Sequence, residues 1–219
     1  MNKYLAEIIG TFALVFCGTG AIIINQESAG VITHSGIAIT FGLIVAAMIY
    51  TLGDISGAHF NPAVSIAFWV ANVFPAKQLL PYIISQAIGA FIASLTLHYL
   101  FPLNKTLGST LPAGTDLQSF ILEFILTFLL MLVIMRVAKG GKEQGLIAGI
   151  AIGSVVLLEA MFAGPICGAS MNPIRSIAPA IVSGNIQSLW VYIVAPVSGA
   201  LLAVFSYNIL RKELTSISE

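Results

Sequence analysis

Charge is scarce in this chain: nine Lys/Arg and nine Asp/Glu in 219 residues, or 8%. A soluble domain carries roughly 25% charged residues, because its surface faces water. So few charges cannot coat a water-soluble globule of this size. They also exclude a disordered chain and a nucleic-acid binder with a basic face. Cysteine is nearly absent. Cys17 and Cys167 show no Cys-x-x-Cys spacing, so neither a disulfide framework nor a metal site is expected, and no cofactor. The three histidines, His34, His59 and His98, do not cluster, and no His-Glu-x-x-His or Gly-x-Ser-x-Gly occurs, which argues against an intramembrane enzyme. What the chain has in abundance is apolar character, with 58% hydrophobic residues and a mean hydropathy of +0.99. It reads as a polytopic membrane protein whose outer surface is covered by the lipid bilayer.

Six apolar stretches, near 4–24, 36–52, 79–100, 118–138, 145–163 and 188–210, are long enough to cross the membrane. A hydrocarbon core of ~30 Å takes roughly 20 helical residues. The stretches must be helices, because backbone in lipid has to satisfy its own hydrogen bonds. No linker is long enough to separate domains, so residues 1–219 read as a single transmembrane domain. Lys3, Lys77, Arg136, Lys139, Lys142, Arg211 and Lys212 all fall on one side if the spans alternate, leaving Lys105 and Arg175 apart. The positive-inside bias then places both termini in the cytoplasm of a multi-pass protein of the cell (inner or plasma) membrane.

The chain repeats itself. Residues 57–67 (Gly-Ala-His-Phe-Asn-Pro-Ala-Val-Ser-Ile-Ala) and 168–178 (Gly-Ala-Ser-Met-Asn-Pro-Ile-Arg-Ser-Ile-Ala) agree at seven of eleven positions. Glu7 and Glu123 are each followed at the same spacing by Thr-Phe, and Gly89-Ala90 is echoed by Gly199-Ala200. The repeats run over approximately 1–104 and 116–211, each with three spans and one Asn-Pro segment. Three is odd, so the halves must have opposite polarity, an arrangement that builds a pathway at their interface. After each Asn-Pro comes an apolar stretch, 62–70 and 173–182, too short to cross the bilayer. Asn is a favoured helix cap and Pro suits the first turn, so these are expected to be re-entrant half-helices meeting near the midplane. The preceding runs, 56–60 and 164–171, would be non-helical backbone lining a lumen.

At these residues the sequence resembles the aquaporin (major intrinsic protein) family over essentially its whole length. The resemblance rests on Ser56-Gly-Ala-His-Phe-Asn-Pro-Ala-Val, on Gly168-Ala-Ser-Met-Asn-Pro-Ile-Arg-Ser, and on Glu7 and Glu123. The two Asn-Pro motifs stand 111 residues apart. It implies an all-α fold of six transmembrane helices and two half-helices, a homotetramer with one pore per monomer, and passive passage of water and small neutral solutes without ions or protons. It assigns the pore motifs to Asn61, Pro62, Ala63 and Asn172, Pro173, Ile174, and the selectivity filter to Phe41, Ala160, Ala169 and Arg175. Strict water channels usually have His where Ala160 stands. That departure, with the segment 163–171, is similar to the bacterial-type and nodulin-26-like branch, and implies glycerol, neutral metalloid hydroxides or undissociated small acids as further solutes. Phe41 is the water-channel residue and pulls toward a strict water channel. Ile174 in place of Ala adds bulk expected to affect packing more than chemistry.

Other residues leave choices open. Glu7 and Glu123 suit either a proton relay or acceptors that hold the re-entrant loops through their N–H groups, and their symmetry favours the second. His59 is expected to line the pore, and Asp54 its mouth. Glu159, beside Ala160, could pair with Arg175 or face the oligomer interface. A secondary transporter for a small neutral solute would also have inverted repeats and broken helices, but would need coupling carboxylates beyond these few.

Overall fold

A computed structural model describes residues 2–138 and 146–217, with side chains as far as 211. Lys139, Lys142 and the side chain of Lys212, which entered the charge argument above, lie outside the described residues.

The apolar runs form six long helices: α1 Asn2–Glu27, α2 Thr33–Ser56, α4 Ala76–Leu100, α5 Asp116–Ala138, α6 Ala148–Cys167 and α8 Val191–Ile217. Between them lie two short helices, α3 Pro62–Val70 and α7 Pro173–Ser183, of 9 and 11 residues. At 1.5 Å per residue, nine residues reach ~14 Å, about half of a hydrocarbon core. No strand occurs among the described residues.

Each short helix starts the same way. Asn61 is extended (φ −153°) and its side chain accepts from Ala63 N at 2.9 Å, with Pro62 in the first turn. Asn172 is likewise extended (φ −148°) and accepts from Ile174 N at 3.2 Å and Arg175 N at 3.4 Å, with Pro173 following. The side-chain oxygen satisfies donors that have no partner in a first helical turn, and Pro removes one more.

Along the middle of the long helices, large exposed apolar residues form continuous stripes. Ile84, Ile88 and Ile92 make a stripe on α4, and Leu117, Ile121, Ile125 and Leu129 make another on α5. Such faces suit lipid, not water. Inward, helices approach closely through small residues. A Cβ on Gly89 of α4 would lie 2.2 Å from Ile8 O of α1, and one on Gly199 of α8 would lie 2.2 Å from Phe124 O of α5. Where α2 crosses α6, Gly42 and Gly153 meet, and a Cβ on either would come within 2.6 Å of the other's carbonyl oxygen. Without a hydrophobic force between helices in lipid, such backbone approach supplies packing. Each short helix packs on α4 and on α8, so the half-helices are held by both halves of the chain.

The helices run further than expected at two ends. α2 continues to Ser56, and α6 to Cys167, so the non-helical backbone before each Asn-Pro is confined to residues 57–61 and 168–172. α6 carries Pro165 in its last turn. The Met161 carbonyl that Pro165 cannot serve accepts instead from His34 Nε2 at 2.6 Å.

Candidate pore and constriction

The two loops that lead into α3 and α7 have matching strain. Gly57 (φ 83°), Ala58 (φ 50°) and Phe60 (φ 49°) are left-handed, and so are their counterparts Gly168 (φ 87°), Ala169 (φ 43°) and Met171 (φ 54°). Non-glycine residues persist there only when their surroundings over-determine them. The buried glutamates provide that constraint. Glu7 is 0% exposed; its Oε1 accepts from Ser56 Oγ (2.7 Å) and His59 N (3.0 Å), and its Oε2 from Phe60 N (2.8 Å) and Gln86 Nε2 (2.8 Å). Glu123, also 0% exposed, accepts from Ser170 N (2.7 Å) and Met171 N (2.8 Å). The acceptor geometry is that of loop holders; every bond named here comes from a loop N–H or a neighbouring side chain.

The loops then cross-link. Asn61 Nδ2 donates to Met171 O at 2.7 Å, and Asn172 Nδ2 donates to Phe60 O at 2.9 Å. The two helix N-termini therefore face one another, with one amide N–H of each asparagine spent on the opposite loop. Beside them runs a cavity of about 650 Å³, lined by both asparagines and by Phe41, Ala160, Ala169 and Arg175. Asp54 and His59 line the same cavity. His59 is wedged among Phe68, Phe74 and Tyr82, with Nδ1 3.0 Å from Ser65 Oγ. Pro62, Ala63, Pro173 and Ile174 are buried in the first turns of α3 and α7, and Ile174 joins the apolar core.

Arg175 is 2% exposed, an unusual place for a cation. An arginine at the centre of a membrane helix costs at least ~2.5 kcal/mol on insertion scales, so it needs compensation. Its Nη1 donates to Gly108 O at 2.8 Å, and its guanidinium carbon lies 5.0 Å from the Phe41 ring centre. Its Nε has no hydrogen-bond partner. Glu159 is not its counter-ion: neither carboxylate oxygen of Glu159 is hydrogen-bonded, and at 3% exposure within the monomer it does not face outward either. Neither of the two roles expected of Glu159 holds.

Several supporting groups escaped the sequence. Gln86 and Ser65 meet beside Glu7 at 3.0 Å, and Ser170, Ser176 and Thr110 form a hydroxyl chain (2.6 and 2.8 Å) beneath Asn172 and Arg175. A lone amide in an apolar span was a readable signal for Gln86; the carbonyl of Gly108 left none.

The model of the major intrinsic protein family matches residues 1–207. The chain belongs to this family. Aquaporin NIP1-1 of Oryza sativa subsp. japonica is 50% identical over 212 residues, covering 96% of this chain and 75% of that protein. Nodulin-26 of Glycine max is 46% identical over 220 residues, covering 100% of this chain and 81% of its own length. Among solved structures, the aquaglyceroporin of Plasmodium falciparum superposes with a TM-score of 0.87 at 25% identity, over 99% of this chain and 98% of that one. This major intrinsic protein is thus a passive transmembrane channel of the aquaporin fold, for water and small neutral solutes, and not an enzyme.

Proposed function

We propose that the channel passes small uncharged solutes besides water, namely glycerol, neutral metalloid hydroxides and undissociated small acids, and rejects protons and ions. The carrying observation is the cavity lining: Ala160 and Ala169 line it together with Arg175 and Phe41, so two of these four side chains are methyl groups. Ala at 160 leaves room and apolar surface for a carbon skeleton, while Arg175 offers hydroxyls a donor. The likeness to a protein named an aquaglyceroporin supports this reading.

Ion exclusion follows from the asparagine junction. The facing N-termini of α3 and α7 put the positive ends of two helix dipoles at one spot. A cation is repelled there, and Arg175 adds a second barrier, as in aquaporin-type channels generally. The second amide N–H of Asn61 and of Asn172 donates to a passing oxygen and orients that molecule against relaying a proton.

The remaining parts of the reading are architectural. The chain is one channel domain, 1–219, built of inverted repeats over approximately 1–104 and 116–211; it assembles as a homotetramer in the cell (inner or plasma) membrane with both termini cytoplasmic. The skew of cations such as Lys3, Lys77 and Arg136 supports that orientation.

Stopped-flow light scattering on proteoliposomes tests the selectivity. Under osmotic shock with sucrose, vesicles should shrink faster than empty ones, and after glycerol shock they should re-swell by a non-saturating flux. Water flux without glycerol flux would favour the strict water channel that Phe41 suggests, and gradient-coupled, saturable uptake would favour a transporter.

A further inference from the structure

His34 has no role in the pore as described, yet it makes one of the few polar contacts between α2 and α6. Its Nε2 lies 2.6 Å from Met161 O. A carbonyl only accepts, so Nε2 carries the hydrogen and donates. The contact exists because of sequence: the residue four positions after Met161 is Pro165, which has no N–H to close the helical bond. The carbonyl so freed finds its partner in His34, in the first turn of α2. Gly164 makes the approach possible, as a Cβ there would lie 2.8 Å from His34 Cε1.

The position matters. Met161 directly follows Ala160, and Phe41 comes seven residues after His34, two turns along the same face of α2. Ala160 and Phe41 line the cavity on opposite helices, whereas His34 touches Met161 and Gly164. The two helices run antiparallel and touch at three levels. Tyr50 Oη donates to Leu146 O (3.1 Å) and accepts from Ile150 N (3.3 Å) at one end; Gly42 and Gly153 meet in the middle; His34 and Met161 meet at the constriction end. At the glycine contact the two backbones meet directly, with Leu157 and Ala46 packed beside them, so the polar contacts between the helices lie at the two ends.

We propose that His34 is a positioning residue for selectivity: by donating to the Met161 carbonyl it pins α6 to α2 and sets the separation of Ala160 from Phe41. The inference rests on the constriction proposed above. It makes His34 and Pro165 a matched pair, one removing an intrahelical bond and the other replacing it across the helix pair.

The test compares the ratio of glycerol to water permeability in proteoliposomes. His34→Ala should raise that ratio roughly threefold, the scale of one hydrogen bond, with water flux little changed. His34→Gln, whose amide can donate to the same carbonyl, should restore the ratio, and His34→Phe, which only fills space, should not. In a Pro165→Ala background, where residue 165 regains its N–H, His34→Ala should have a smaller effect; this pair keeps the test open if His34→Ala alone is poorly folded. Equal ratios for wild type and His34→Ala, in protein where Ala160→His does cut glycerol flux, would overturn the clamp. So would rescue by Phe as complete as by Gln. A ratio indifferent to Ala160→His overturns the constriction itself, a separate failure.

Discussion

Glu7 and Glu123 hold equivalent loops by similar means. Each accepts two loop N–H groups and the side chain just before the loop, Ser56 for Glu7 and Cys167 for Glu123, and Glu7 also accepts from Gln86. Replacing Glu7 by Gln substitutes an amide donor for one acceptor oxygen and turns it against groups that also donate. A buried donor left unsatisfied costs about 1–3 kcal/mol, so Glu7→Gln and Glu123→Gln should each lower thermal stability in detergent by that order; unchanged melting would show that the loops do not depend on these carboxylates. At the constriction, Ala160→His should reduce glycerol flux more than water flux, because the ring fills the space and replaces a methyl wall with a polar one; equal reduction would place the size filter elsewhere. Glu7 and Glu123 were legible in the sequence because they recur in the two halves, and Ala160 through the family resemblance. Ser176 and the Gly108 carbonyl were not, because each acquires meaning only from chain that folds against it from far away in sequence.

Among the elements, the helix pairs α1–α4 and α5–α8 are set by one glycine apiece. Gly89 faces Ile8 O and Gly199 faces Phe124 O, with 2.2 Å available to a Cβ in both cases. Even one methyl group forces the backbones apart. Gly89→Val and Gly199→Val should therefore abolish a folded, detergent-stable channel, measurable as loss of a monodisperse peak in size-exclusion chromatography; an intact peak would show that the helices can separate without loss of the fold. These glycines could be noticed in the sequence as an echo, but not their cause, which is a carbonyl on another helix. Helix ends were less legible still. The run 164–171 read as non-helical, whereas α6 runs on through Pro165 to Cys167, with the Met161 carbonyl taking a hydrogen bond from His34, more than a hundred residues away in sequence.

For the whole molecule, membrane sidedness was read from cations alone. Lys105 lies exposed between α4 and α5. Lys105→Cys should react with an impermeant maleimide on intact cells, well above the background of Cys17 and Cys167, which are half-buried and buried. Labelling that requires permeabilised cells would reverse the proposed orientation. The reciprocal bonds from Asn61 to Met171 and from Asn172 to Phe60 span 110 and 112 residues. Their consequence lies in biosynthesis. A ribosome adding 5–20 residues per second needs roughly 5–20 s to cover that interval. Throughout it, the first loop sits in the membrane with its Asn61 amide and Phe60 carbonyl still waiting for partners on chain that has not yet been made. The nascent first half is thus a client for any insertion factor that shelters polar backbone in lipid, until the second Asn-Pro emerges and relieves it.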